Sequence, residues 1–304
     1  MSESYPHLHQ DFQHLMLLDD EQRIESLHEN IWINYPRSDE IVQLLGQIMN
    51  RPKKPRMPGL LIIGESNIGK TSIIHRFANL HPDITYEDDM EMSRVQKPVI
   101  HALMRGSDEK DLYAAILERF WTPFRPTDPQ AKLRHQAIAL MRECNVKILI
   151  LDEIHNLLRG TAVKQRIMMD AIKNLSVELM IPVVGVGTKE AAMVLATDPQ
   201  HTSRFDIVKL PKWELDKNFR ALLVAFEKRL PLKKPSHLDT KEKATLLFGI
   251  SRGNLGDLHR LLIECATYAI RHGIEEITVD IINKYKWLKP TDTRSAREIV
   301  FDTD

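Results

Sequence analysis

Leu60-Leu61-Ile62-Ile63-Gly64-Glu65-Ser66-Asn67-Ile68-Gly69-Lys70-Thr71 joins a short apolar run to the pattern G-x-x-x-x-G-K-[ST], and an apolar-periodic stretch (Ile73, Ile74, Phe77, Ala78) follows it. A buried strand, a glycine-bearing loop and a helix in that order are the context in which the pattern has physical meaning. The glycines let the backbone turn its N–H groups inward around phosphates, and the helix start adds roughly half a positive charge. Gly64, Glu65, Ser66, Asn67, Ile68, Gly69, Lys70, Thr71 and Ser72 are therefore the expected cradle of a nucleotide. Lys70 is expected to reach the β- and γ-phosphates, and Thr71 to give a hydroxyl to magnesium.

Further along, Lys147-Ile-Leu-Ile-Leu-Asp152-Glu153 is a second apolar run, and it ends in two carboxylates. In open α/β sheets ligands bind at the carboxyl ends of the strands. Asp152 is thus the expected second magnesium ligand, and Glu153 the group that orients and polarises an attacking water. That second carboxylate argues for hydrolysis of ATP rather than its storage. Ile181-Pro-Val-Val-Gly-Val-Gly-Thr188 is a third run, ending in a hydroxyl. Thr188 can face the γ-phosphate or cap the helix that follows. Arg204, in Thr202-Ser-Arg204-Phe205, precedes the last apolar run, Ile207–Leu210; it is either an ordinary exposed arginine or one that reaches the nucleotide of a neighbouring copy.

Candidate strands at Leu60–Ile63, Pro98–Met104, Ile148–Leu151, Val183–Val186 and Ile207–Leu210 alternate with helical patterns, and the runs around 61, 149 and 184 are continuously apolar. This predicts an α/β domain with a central parallel sheet. Four regions follow: an N-terminal helical extension with a basic linker over 1–55, the nucleotide-binding domain over 56–212, a helical lid over 213–288 and a polar tail over 289–304. In the first, Ser38 is a candidate cap for a helix whose apolar face is Ile41, Leu44, Leu45, Ile48 and Met49. The linker Arg51-Pro-Lys-Lys-Pro-Arg-Met-Pro58 cannot continue it. In the lid, one stripe is Leu215, Phe219, Leu222, Leu223, Phe226 and Leu230, and another is Leu258, Leu261, Leu262, Cys265, Ala269 and Ile270.

Of 304 residues, 42 are basic and 42 acidic, for a formal net charge of zero. No global field draws in a polyanion, so any nucleic-acid surface must be local. The two cysteines, Cys144 and Cys265, form no metal-ligand pattern and are expected in the core. The first twenty residues lack the basic start and apolar run of a signal peptide, and no stretch approaches the ~20 apolar residues of a membrane span. A cytoplasmic location away from membranes is expected.

With these pieces in order, the chain resembles the TniB family of transposition ATPases, AAA+ proteins related to TnsC and MuB. The residues that carry the likeness run from Asp20-Glu-Gln-Arg23 and Trp32-Ile-Asn-Tyr35-Pro36-Arg37 through Arg56–Thr71. It continues with Leu151-Asp-Glu-Ile-His-Asn-Leu157, Pro182–Thr188, Asp198-Pro-Gln-His-Thr-Ser-Arg-Phe205 and Leu210-Pro-Lys-Trp213. The resemblance implies an AAA+ P-loop domain with a helical lid, acting as an ATP-controlled regulator of DNA transposition. Such a protein assembles as rings or helical filaments on duplex DNA, marks a target, and recruits or activates a DDE-type transposase, with a TniQ-like adaptor as a further partner. Hydrolysis then disassembles it. The resemblance also favours Arg204 as a finger in the neighbouring site. By analogy with related ATPases, Lys110, Lys132 and Arg134 become the candidate DNA contacts.

Two departures stand out. Gly253-Asn-Leu-Gly256-Asp257 lies where many lids carry a sensing arginine, leaving Arg252 or Arg260 as substitutes, and Glu65 and Ile68 are unusual loop residues. Trp32 and Tyr35 are expected to pin the N-terminal segment, His155 to be a polar loop residue, and Phe120, Trp121 and Phe124 to pack in the core or a flap. Two other readings are a nucleotide-gated protein-binding module with little hydrolysis and a small-molecule kinase. Glu153 argues against the first, and the long helical C-terminal region against the second.

Overall fold

The computed structural model describes residues 5–29, 32–87, 92–125, 127–195, 204–286 and 291. The chain divides into two compact units: one holds 36–65 and 70–210, the other 1–35, 66–69 and 211–304. The expected N-terminal region is therefore shared between the two, its division falling at 35/36.

The first unit is built on five parallel strands: β1 (Gly59–Gly64), β4 (Val99–Leu103), β5 (Ile148–Asp152), β6 (Val183–Gly187) and β7 (Phe205–Leu210). They form one sheet of order β4-β5-β6-β1-β7. Each of the five expected runs is a strand. Every residue of β1, β5 and β6 is buried, because helices cover both faces of the sheet's centre. The edge strand β7 is mostly solvent-facing. A separate antiparallel pair, β2 (Ile84–Glu87) and β3 (Ser93–Gln96), carries no continuous apolar run, so hydropathy does not announce it.

The helices of this unit are α2 (Pro36–Met49), α3 (Lys70–Asn79), α4 (Glu109–Glu118), α5 (Gln130–Glu143), α6 (Ala162–Leu179) and the short α7 (Ala191–Leu195). Leu112, Ile116, Leu133, Ile138, Met168 and Ile172 pack with β4, β5 and β6 residues in one core. Ser38 does not cap α2. The helix begins two residues earlier with Pro36, whose fixed φ suits a first helical turn and whose missing N–H costs nothing there, and Ser38 is buried inside it.

The second unit holds α1 (Asp20–Leu27), α8 (Lys217–Glu227), α9 (Lys241–Ser251), α10 (Leu255–Arg271) and α11 (Val279–Lys284). Both expected stripes are buried except Leu215, which precedes α8 and is exposed. Asp216 caps α8 by accepting from the N–H groups of Asn218 and Phe219. Cys265 is in this core, where burial raises its thiol pKa, whereas Cys144 is only half-buried at the end of α5.

Sequence blocks far apart meet in this unit. Tyr35 and Trp213 pack edge to face, 5.2 Å between centroids, which accounts for the tyrosine as a pin. Arg23, 1% exposed, donates to both carboxylate oxygens of Glu275 (2.7 and 2.9 Å), to Asp20 and to the carbonyl of Pro231. It ties α1 to the C-terminal helices. Burial acts to raise the Glu275 pKa, but the bonds from Arg23 and Lys233 outweigh it and the pKa falls below the ordinary value.

Arg23→Met takes the bidentate partner from the buried Glu275, leaving it only Lys233, and is expected to cost about 3 kcal/mol of stability, read from a denaturant titration. Glu275→Gln should show the pH signature. A depressed carboxyl pKa stabilises above its unfolded value and stops doing so as pH falls through the folded one. The gap between wild type and Glu275→Gln should thus be full at neutral pH and close only below the ordinary glutamate range.

Candidate nucleotide site

Because β1, β6 and β5 are parallel neighbours, their carboxyl ends bring three sequence-distant segments to one edge. The loop after β1 turns back through positive φ at Asn67 (62°) and Gly69 (95°) before α3 begins at Lys70. Asp152 closes β5, and Thr188 stands one residue beyond β6.

Within the first unit, the Thr71 hydroxyl donates to Asp152 Oδ2 at 2.8 Å, joining the two expected magnesium ligands. Asp152 is 1% exposed. Burial works to raise its pKa, but hydrogen bonds from His101, Thr71 and the backbone N–H of Glu153 prevail and hold it low, so the carboxylate is charged. Lys70 is buried and its ammonium donates to the carbonyls of Gly64 (3.0 Å) and Glu65 (2.7 Å). Burial lowers its pKa while Glu153, Asp152 and Glu65 oppose the shift. These carbonyls are the partners a phosphate oxygen would replace.

Glu153 follows in the left-handed region (φ 55°), which turns it away from the strand direction. Its Oε2 lies 3.2 Å from His155 Nε2. His155 is thus more than a loop residue: it holds the carboxylate expected to orient water, while its other ring nitrogen is buried without a partner among the described residues. Thr188 accepts from the Ala191 N–H through its carbonyl, and its hydroxyl bonds the Glu190 carboxylate, lowering that group's pKa.

Three residues escaped the sequence reading. His101, on β4, contacts Asp152 Oδ2 through Nε2 at 3.3 Å, and His75 of α3 meets it edge to face at 5.1 Å. Together with Thr71, Arg105, Arg119, Asp152 and Glu153 they line a cavity of about 270 Å³. Lys189 pairs with Glu65 at 2.6 Å, giving that unusual loop residue a partner. The one available signal was a polar residue at the centre of the β4 run; the rest required the sheet order.

Arg204 lies at the opposite edge. Its carbonyl accepts from the Gly59 N–H at 2.9 Å, and β7 then runs in register with β1 from Gly59↔Phe205 to Gly64↔Leu210. About 16 Å of strand, at ~3.3 Å per residue, separates it from the glycine-bearing loop that follows β1. An arginine side chain does not span that. Thr202 and Ser203 lie outside the described residues.

The expected DNA contacts lie on α4 and α5, two helices packed against each other. Lys110 is half-buried in the first turn of α4. Lys132 pairs with Asp128 at 2.9 Å, and Arg134 with Glu178, which also binds Arg142. In the second unit, Arg252 ends α9 in the left-handed region and Arg260 is half-buried on α10. There Asn254 donates to the carbonyl of Ser66 at 2.8 Å, and Gly256 to that of Asn67 at 2.9 Å.

The family model for the bacterial TniB protein matches residues 23–215. The chain belongs to the TniB family. The matched span takes in the Trp32 block, both carboxylate-bearing and phosphate-cradling segments, Arg204 and Trp213. No curated protein is similar in sequence to this TniB-family chain. Among solved structures, Cdc6p of Pyrobaculum aerophilum is 17% identical with a TM-score of 0.62, over 90% of this chain and 72% of that one. The ORC2 protein of Aeropyrum pernix, with ADPNP and ADP, is 16% identical with a TM-score of 0.59, over 86% and 70%. The ORC1 protein of that organism in complex with DNA is 16% identical with a TM-score of 0.55, over 86% and 68%. The TniB-family chain thus has the AAA+ fold, and among its described residues no helix is long and apolar enough to cross a membrane.

Proposed function

We propose that this TniB-family protein is a DNA-dependent ATPase that acts as a switch in transposition. It assembles on duplex DNA with ATP bound, marks the target and engages a DDE-type transposase, with a TniQ-like adaptor as a further partner. Hydrolysis releases it. The observation that supports this most is the meeting of Lys70, Thr71, Asp152 and Glu153 at one sheet edge within the family's matched span.

The donor set fits magnesium. Thr71 and Asp152 offer hard oxygens 2.8 Å apart, and among the described residues no group of three or more His, Cys, Asp and Glu is placed to hold a metal alone. One or two protein oxygens completed by phosphates and water is the usual manner of holding this ion. When bound it would neutralise charge on the phosphates. Lys70 would shift its ammonium from the Gly64 and Glu65 carbonyls to phosphate oxygens. Glu153 would leave His155, accept a proton from water and direct the oxygen at the γ-phosphorus as the bond to the β-phosphate's bridging oxygen breaks.

Lys70→Ala is expected to abolish nucleotide-dependent assembly. Gel filtration with a non-hydrolysable ATP analogue and duplex DNA should give large particles for wild type and none for the variant. A wild-type protein that stays monomeric and ignores duplex would overturn the switch. Nucleotide binding with negligible turnover, with or without DNA, would support instead a nucleotide-gated protein-binding module.

A further inference from the structure

In the first unit, Arg119 ends α4 and lines the cavity of about 270 Å³ that His75, His101, Asp152 and Glu153 also line. Among the described residues its guanidinium has no ion pair or hydrogen-bond partner. The acid beside it in sequence, Glu118, is matched by Arg105 at 3.1 Å. The guanidinium is close enough to His75 to act on it. Burial and then His101 lower that imidazole's pKa, Asp152 opposes them, and Arg119 adds to the lowering. Thr71 lines this cavity and Lys70 does not. The cavity therefore adjoins the lysine expected to meet the β- and γ-phosphates, and an unspent positive charge stands in its wall.

The direction of the reaction indicates what comes there. In an in-line displacement the attacking and leaving oxygens stand on opposite sides of the phosphorus. The freed phosphate therefore leaves ADP toward the side from which water came. Glu153 is the group proposed to direct that water, and Glu153 lines the cavity. Once it has taken the proton, Glu153 is neutral, and Asp152 would be engaged with magnesium, so neither carboxylate repels a new anion strongly. At about 270 Å³ the cavity is smaller than the ~300–1,000 Å³ of sites for drug-sized ligands. It suits a small oxyanion with water, not a second nucleotide. A guanidinium is the side chain whose paired N–H groups match two oxygens of a phosphate.

We propose that this cavity is the holding site of the inorganic phosphate released by hydrolysis, with Arg119 as the residue that binds it. The inference rests on the ATPase reading above and adds to it the route by which one product leaves.

The test is calorimetric titration of inorganic phosphate into protein saturated with magnesium and ADP, for wild type, Arg119→Ala and Arg119→Lys. ADP fills the cradle after β1, so phosphate added on top of it reports on the cavity. Arg119→Ala should bind phosphate roughly tenfold to a hundredfold more weakly. Arg119→Lys should fall between the two, because it keeps the charge and loses the fork. Inhibition of ATP turnover by added phosphate should weaken in the same order. Unchanged phosphate affinity in Arg119→Ala, or a wild type that binds ADP and no phosphate, would overturn the holding site while leaving the ATPase standing. Loss of ADP affinity in Arg119→Ala would overturn it in favour of a direct nucleotide contact. A changed particle size in that variant at wild-type phosphate affinity would assign the arginine to a second copy instead. Failure of wild type itself to bind ADP would remove the ATPase reading and the holding site with it.

Discussion

Arg204→Ala is expected to lower ATP turnover by about 10³–10⁵-fold while each monomer still binds nucleotide. The reason is geometric. The carbonyl of Arg204 is bonded to Gly59, at the start of the strand whose far end carries the phosphate loop. The side chain therefore cannot serve its own site, and a role in hydrolysis requires a neighbour's. A mixture of two inactive variants tests this. Arg204→Ala keeps Glu153 but supplies no finger, and Glu153→Gln keeps the finger but cannot direct water. If the arginine acts between copies, mixing them restores turnover at interfaces that pair a good Glu153 with a good Arg204. Mixtures as inactive as their parts, with assembly intact, would confine any effect of Arg204 to its own subunit. Unaltered turnover in Arg204→Ala alone would exclude a finger.

Glu153→Gln is expected to reduce turnover by about 10²–10⁴-fold and to trap the DNA-bound assembly. The amide keeps the shape of the carboxylate but cannot take a proton from water. Asp152, which makes the bond to Thr71, is untouched, so nucleotide affinity should survive. Dissociation of a labelled duplex after ATP is added distinguishes the outcomes: the variant should remain bound where wild type is released. Equal turnover by the two would refute the water-orienting role. The contact from His155 sharpens the expectation, because glutamine also accepts from that ring and should leave the surrounding loop undisturbed.

Much of the site is legible in the sequence because its parts are local. Gly64–Thr71 is a continuous segment whose strand and helix flanks carry distinct periodicities, and β1, β5 and β6 are buried on both faces and so read as unbroken apolar runs. Elements without such a signature are missed or misplaced. The β2–β3 pair is solvent-facing, and the start of α2 is misread because Pro36, not Ser38, opens it. Hydrophobicity ranks Trp121 with Phe120 and Phe124 and would pack all three alike; in the structure Phe120 and Phe124 pack on the core, whereas Trp121, in left-handed backbone, is exposed.

By itself, then, the sequence determined the sheet's strands, the glycine-bearing loop after β1, the two acidic residues at the end of β5 and the family. These depend on patterns within a few residues of one another. Only the tertiary structure decided that His101 and His75 stand beside Asp152, that Lys189 answers Glu65, that Arg23 is sunk against Glu275, and that Arg204 stands beside the start of β1, a strand's length from the loop that follows it. Strand order and register set those meetings. Spacing along a chain does not encode which strand lies beside which, because the free energy that selects the order comes from burial summed over the whole sheet.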